Sequence, residues 1–317
     1  MIGLDWGSSS LRALRLGTDG EVLEVRSSTQ GASTLDGKPA SFVAALDALI
    51  GDWHVVPAPV LACGMVGSQH GWREVPYADC PADAQALAAA ALRVDWRGKS
   101  VHLLPGLRCE TDAGDAGVPD VMRGEETQVL GALQLDASLA PRACIVLPGT
   151  HSKWARVTDG ALLGFATHMT GELFAVLRQH SVLGRLMPAD ALADAGGDAQ
   201  AAHAAQAFAA GVRAARAQGQ LGLSHQLFAV RTLGLTGRLA HAVLPDYLSG
   251  LLIGHELRAG LAWRAAHQLA DAPLLLIGEA ALCQRYVAAL ALFDVGDVRV
   301  LPNTAPAGLW RLAQGRL

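Results

Sequence analysis

Asp5-Trp6-Gly7-Ser8-Ser9-Ser10 places a carboxylate at the mouth of a short turn rich in backbone N–H groups and hydroxyls. Such a turn builds an anion-binding nest, and an acid beside it can organise Mg²⁺ through water next to a bound polyphosphate. The alternative is a plain hairpin whose Asp caps its own turn. A second turn of similar make-up, Pro148-Gly149-Thr150-His151-Ser152-Lys153, follows the apolar run 144–147 and ends on a cation. Two such turns on separate sheets suit a grip on a triphosphate from both sides. Between them, Arg123-Gly124-Glu125-Glu126 leads into an apolar helical pattern. Its paired acids either complement a helix macrodipole or line a cleft where one carboxylate serves as a base. Gly64-Met65-Val66-Gly67-Ser68 comes directly after the strand-like stretch 59–63. It is either a simple turn or a ligand loop at the carboxyl end of a sheet. His151, alone in its turn, is read as an orienting group rather than a base.

The elements that must position these groups follow from periodicity. Residues 2–6 and 11–16 form a hairpin, with a third strand over 21–28. Helical spacing covers 38–50, and an Ala-rich helix is expected over 84–93. Short strands are expected at 101–105, 144–147 and 162–167, with a polar, hinge-like loop at 109–119. Thr170 is placed as the N-cap of the helix that follows it. Residues 189–219 are Ala-rich and helical, with a break at Gly197, and 245–269 form one long amphipathic helix. Gly250 and Gly254 share a face of that helix, a spacing that permits close packing against a neighbour or a flat ligand. The apolar strand 274–277 runs into Gly278 and a helix start, a geometry that brings backbone close to a nucleotide. A strand at 298–301 and a closing helix at 305–313 end the pattern. Neither G-x-x-x-x-G-K-[ST] nor G-x-G-x-x-G occurs in a strand–helix context.

A chain of 317 residues exceeds the usual size of one core and predicts two lobes. Hydrophobic residues at 51% and charged residues at 17% describe a well-buried globular protein. The net charge of −4, with no massed Lys or Arg, excludes nucleic acid as a favoured partner. Five scattered cysteines without a CxxC pair argue against a disulfide framework or a zinc site and for a reducing compartment. No apolar run approaches the roughly 18 residues of a membrane span, and no leader is read ahead of the first strand. A cytoplasmic protein is expected.

Together the pieces resemble the ASKHA superfamily of sugar kinases, hexokinase and actin. The run of LDWGSSSLRA, CGMVGSQHGW, VMRGEETQVLGA, LPGTHSKW, HMTGELFAVLRQHSVLG and YLSGLLIGHE, in that order, is similar to the 2-dehydro-3-deoxygalactonokinase family. D-W-G-[ST] is shared widely; GMVGS, MRGEETQ, PGTHSKW and MTGEL in one chain are specific. The resemblance implies an α/β, two-lobed, actin/hexokinase-like (ribonuclease H-like) fold with ATP in the interdomain cleft. It implies lobes at 1–120 and 121–317, with the closing helix at about 305–317 packing back on the first. The implied activity is transfer of the ATP γ-phosphate to the C6 hydroxyl of 2-dehydro-3-deoxy-D-galactonate, in galactonate or galactose catabolism. By the same likeness Asp5, Gly7, Ser8 and Ser9 form the first phosphate loop, with Asp5 organising Mg²⁺. Gly149, Thr150, Ser152 and Lys153 form the second, and Gly278 marks the adenosine site. Glu126 is the expected base, with Glu125 the second choice, by analogy with a Gly-Glu-Glu motif in related exopolyphosphatases. The substrate's carboxylate needs a cation, for which Arg123 is the candidate, with the Gly64–Ser68 loop supplying backbone donors. Where many superfamily members carry an Asp-Gly-Gly-type second turn, this chain has Pro-Gly-Thr-His, which leaves Asp5 as the clear metal-organising acid. A homodimer is implied by the family. The rival readings are a kinase for a related sugar acid, an ATPase or polyphosphatase, and a nucleotide sensor without catalysis.

Overall fold

The computed structural model describes residues 1–110, 117–188 and 198–315. The chain opens with strands β1 (Ile2–Trp6), β2 (Leu11–Leu16) and β3 (Val22–Ser28), then helix α1 (Pro39–Ile50) and strand β4 (Val60–Gly64). It continues through β5 (Ala78–Asp79), α2 (Ala84–Ala89), β6 (Leu92–Trp96), β7 (Lys99–Leu103), β8 (Leu107–Glu110), β9 (Pro119–Met122) and α3 (Glu125–Leu135). The strands β10 (Arg142–Leu147), β11 (Ser152–Thr158) and β12 (Ala161–His168) lead to α4 (Thr170–His180). After α5 (Asp198–Gln218), α6 (Leu223–Leu235) and α7 (Leu244–Ala266) come β13 (Leu274–Ile277), α8 (Ala280–Ala291), β14 (Val298–Leu301) and α9 (Ala305–Gln314).

A six-stranded mixed sheet has the order β3-β2-β1-β4-β7-β6, a five-stranded sheet the order β12-β11-β10-β13-β14, and β5-β8-β9 form a small third sheet. The central strands β1, β4, β10 and β13 are almost wholly buried, as continuous apolar runs in sheet interiors require. Beneath the first sheet, Trp6, Phe42 and Trp72 pack ring on ring, with Phe42 and Trp72 stacked at 5.9 Å. By contact the chain forms two compact units, Met1–Ile145 with Ala155–Ala166 and Leu301–Leu317, and Val146–Trp154 with Thr167–Val300. Contact therefore divides the chain elsewhere than at residue 120. One reason is that α3 is held in the first unit by the residues before α9, where buried Thr304 donates its hydroxyl to the Gln128 carbonyl at 2.6 Å.

Several local expectations change. The helix expected over 84–93 stops at Ala89, and Leu92–Trp96 alternates as β6 against β7. Thr170 is the first residue of α4, not its cap, because its hydroxyl donates to a buried carboxylate instead of accepting from the helix. Gly250 and Gly254 face α5: a Cβ on Gly250 would lie 2.0 Å from the Phe208 carbonyl oxygen. Their spacing serves helix packing. The middle of the loop expected at 109–119, residues 111–116, and the break expected at Gly197 lie outside the described residues.

Candidate active site

In the first unit, the carboxyl ends of two parallel strands gather the expected residues. β1 and β4 pair with Asp5 opposite Cys63 and Trp6 opposite Gly64. Gly64 has φ +90° and a Cβ there would meet the Trp6 carbonyl oxygen at 2.7 Å, so only glycine fits this crossing. Gly124, at φ +112°, lies against Gly64, which brings the start of α3 to the same strand end. Asp5 is partly exposed; Asn303 Nδ2 donates to its Oδ2 at 3.3 Å and Arg12 lies 3.8 Å away. The Gly7–Ser10 turn is closed by Gly7 N–H donating to the Ser10 carbonyl at 2.9 Å. The N–H groups of Ala32 and Ser33 pin its Gly7 and Ser8 carbonyls from behind. Ser8 and Ser9 stay exposed.

Glu126 is the second residue of α3 and only 1% exposed. The Gly124 N–H donates to its Oε2 at 2.7 Å, and the Thr127 hydroxyl to its Oε1 at 3.1 Å. A helix N-terminus and two donors favour the carboxylate form. Burial outweighs them, and with the nearby charge of Glu125 it pushes the Glu126 carboxyl up to about 8. Burial, followed by the charges of Asp5 and Glu126, likewise pushes the Cys63 thiol up, which places both acids around this one buried sulfur. Glu125 is only partly buried, and its Oε2 accepts from the Arg123 N–H at 3.0 Å.

The Arg123 side chain turns away from both acids. Nη2 donates to the Val75 carbonyl at 2.8 Å and the guanidinium stacks 4.3 Å over Tyr77. Nε and Nη1 are buried with no hydrogen-bond partner, and a Cβ on Gly67 would lie 3.1 Å from Nη1. Within the 64–68 loop, Val66 is core, and the Ser68 N–H is used internally on the Met65 carbonyl. Gly64 and Gly67 are buried, the first against Trp6 and the second against Arg123, and Met65 and Ser68 are the partly exposed members of that loop.

In the second unit, Gly149 and Thr150 line a cavity of about 620 Å³ with Thr170 and Gly171 of α4, Ser249 and Ile253 of α7, and Glu279, Arg285 and Tyr286 at or in α8. The turn is hooked to α4: the Glu172 N–H donates to the Thr150 carbonyl at 3.0 Å, and a Cβ on Gly171 would lie 2.5 Å from the Gly149 carbonyl oxygen. Gly278 borders the same turn, with its Cβ position 3.4 Å from the Pro148 carbonyl oxygen. Glu279 caps α8 through the N–H groups of Ala281 and Leu282, which hold its carboxyl below the usual range. Arg285 adds a cation to the wall, with Nη1 on Asp246 at 2.9 Å and a buried Nε that has no partner. His151 pairs with Glu172 on the outside of the turn. Ser152 differs from its expected place: it is fully buried and its hydroxyl points inward to Glu256, so it cannot reach a phosphate. Lys153, the next strand residue, points to the other face of β11 and is 4% exposed.

Compared with known families, the chain matches the 2-keto-3-deoxy-galactonokinase family over residues 5–312. The chain belongs to that family. It is 35% identical over 314 residues to the 2-dehydro-3-deoxygalactonokinase of Escherichia coli (strain K12), covering 98% of this chain and 97% of that protein. A solved structure from Sinorhizobium meliloti, provisionally described as a 2-dehydro-3-deoxygalactonokinase, is 34% identical. It covers 99% of this chain and 98% of its own, with a TM-score of 0.80. Component A of the (R)-2-hydroxyglutaryl-CoA dehydratase of Acidaminococcus fermentans, at 11% identity, covers 100% of this chain and 99% of its own with a TM-score of 0.51. That is a likeness of fold alone, an α/β architecture shared along the whole chain.

Two residues with evident roles are not singled out by the sequence, although Glu256 closes the family motif YLSGLLIGHE. Asn303 sits in an ordinary Pro-Asn-Thr turn, yet its Oδ1 accepts from Ala305 N–H at 2.8 Å, which leaves Nδ2 facing Asp5. Glu256 lies mid-helix among apolar residues and is buried. Among the described residues no group of three or more His, Cys, Asp or Glu could hold a metal, and no helix is long and apolar enough to cross a membrane.

Proposed function

We propose that this chain transfers the γ-phosphoryl group of ATP to the C6 hydroxyl of 2-dehydro-3-deoxy-D-galactonate, giving the 6-phosphate in galactonate or galactose catabolism. The observation that carries the choice of acceptor is Arg123. A guanidinium whose Nε and Nη1 are buried without partners beside Gly67 keeps charge and donors for a substrate carboxylate, and the same unit holds Glu126, a buried carboxyl able to serve as base. Family membership supports the same acceptor.

Phosphoryl transfer asks the protein mainly for position and charge stabilisation. The exposed Ser8–Ser9 turn and the Gly149–Thr150 turn offer donors to phosphate oxygens, and the cavity beside Gly278 takes the nucleoside. Asp5, a partly exposed carboxylate steadied by Asn303, would hold Mg²⁺ beside a bound polyphosphate, where the ion would neutralise charge on the phosphates. Asn303 fixes the Asp5 carboxylate for that task. Glu126 accepts the proton of the C6 hydroxyl, held in place by Gly124 and Thr127. A cytoplasmic location belongs to the same proposal, supported by five scattered cysteines that form no disulfide.

A coupled ADP-release assay across 2-keto-3-deoxy sugar acids tests this reading. Turnover with the galactonate form and not the gluconate form is expected. ATP hydrolysis that no sugar acid stimulates would instead make the protein an ATPase. In the same assay Asp5→Asn is expected to fold normally and lose Mg²⁺-dependent turnover. Asn303→Ala should raise the Mg²⁺ concentration needed for half-maximal rate by about tenfold, the usual cost of losing a group that orients a metal-binding carboxylate. Full activity of the Asp5 variant would remove it from the site.

A further inference from the structure

Glu256 is 3% exposed, halfway along α7, and its carboxylate accepts four hydrogen bonds from neutral donors. Oε1 takes the Ser152 hydroxyl at 2.7 Å and Trp154 Nε1 at 2.9 Å. Oε2 takes the Thr170 hydroxyl and the Tyr286 hydroxyl, the latter at 2.6 Å. A carboxylate offers about four lone-pair sites, so this one is saturated. Burial and the Glu256 charge push the Tyr286 hydroxyl well up, which keeps it a donor.

The four donors come from the start of β11, the first residue of α4 and the middle of α8. These are the elements on which the second turn and its cavity are built. Thr170 and Tyr286 line the cavity themselves; Ser152 closes the turn that begins at Gly149; and α4 holds Gly149 and Thr150 from below. A lone surface carboxylate contributes little, but one that satisfies four buried donors fixes the relative positions of everything attached to it.

We propose that Glu256 is a positioning residue for nucleotide binding: it sets the Gly149–Thr150 turn and the cavity wall through Ser152, Thr170 and Tyr286. The proposal rests on the reading of that cavity as the nucleotide site. In Glu256→Gln the negative charge that strengthens all four bonds is lost, and the groups facing the amide nitrogen must turn to accept from it, which the three hydroxyls can do and the Trp154 N–H cannot.

The test is ADP binding by calorimetry to the full-length protein, with KM values for ATP and for the sugar acid measured in parallel. For Glu256→Gln we expect ADP affinity and KM for ATP to worsen by about tenfold or more, as for loss of a hydrogen bond to a charged group. KM for the sugar acid should stay unchanged. Ser152→Ala, which removes one donor and does not line the cavity, should give a smaller shift of the same kind, and it carries the test if Glu256→Gln does not fold. Lower melting temperatures with unchanged ADP affinity would show a purely structural role and overturn the proposal. Absence of ADP binding by the wild-type protein would overturn the nucleotide-site reading itself.

Discussion

Glu126→Gln is expected to lower kcat by at least about 10²-fold, the usual range for loss of a general base, with KM for ATP little changed. The same substitution should alter two pH profiles. Because the buried carboxyl is pushed up to about 8, kcat/KM of the wild type should rise tenfold per unit as pH approaches 8 and then level off. The variant should lack that rise. In stability the sign runs the other way. Folded Glu126 holds its proton more tightly than the unfolded chain, whose value is near 4.5. Its contribution therefore favours the folded state fully below about 4.5 and is lost as pH rises through about 8. Thermal melts of wild type against variant should show the variant gaining relative stability across that window. At about 1.36 kcal/mol per pKa unit the gain amounts to several kcal/mol. A near wild-type kcat for Glu126→Gln beside a dead Glu125→Gln would move the base to the neighbouring acid.

Replacing Arg123 by Gln should raise KM for the sugar acid by about 10²-fold and leave KM for ATP unchanged. The estimate follows from losing a charge-assisted pair in a partly desolvated site, at about 1.4 kcal/mol per factor of ten. Lys in its place keeps the charge but loses the planar group stacked over Tyr77, so it should restore only part of the affinity. Both variants lose the bond to the Val75 carbonyl, so each needs a melting curve beside its kinetics. A drop in kcat at constant KM would mean that Arg123 acts on the phosphoryl group and not on the acid.

How much of this was legible in the chain can be judged residue by residue. The hairpin around Gly7, the strand ends at Gly64 and Gly278, and the helix start at Glu125 all follow from local rules: apolar runs, glycine at strand ends, and acids in a first turn. The resemblance to the family rests instead on specific motifs in order, GMVGS, MRGEETQ, PGTHSKW and MTGEL. The helix expected over 84–93 starts at Ala84 but gives way to the strand at Leu92, because an Ala-rich window favours helix until pairing with β7 overrides it. The family resemblance implies a phosphate-binding role for Ser152. Its strand register turns it inward.

By itself, then, the sequence determined the kinds of groups available and their order along the chain: an acid before a nest, an Arg and two acids at a helix start, and a second glycine turn. Periods of two and of about 3.6 residues are local properties, and so are turn preferences. Which of two adjacent glutamates is buried, which Arg nitrogens lack partners, and which distant side chains share one carboxylate were decided only by the tertiary structure. Burial, desolvation and hydrogen-bond partnership depend on residues tens to hundreds of positions away. Asn303 on Asp5 and Ser152 on Glu256 are contacts of that kind.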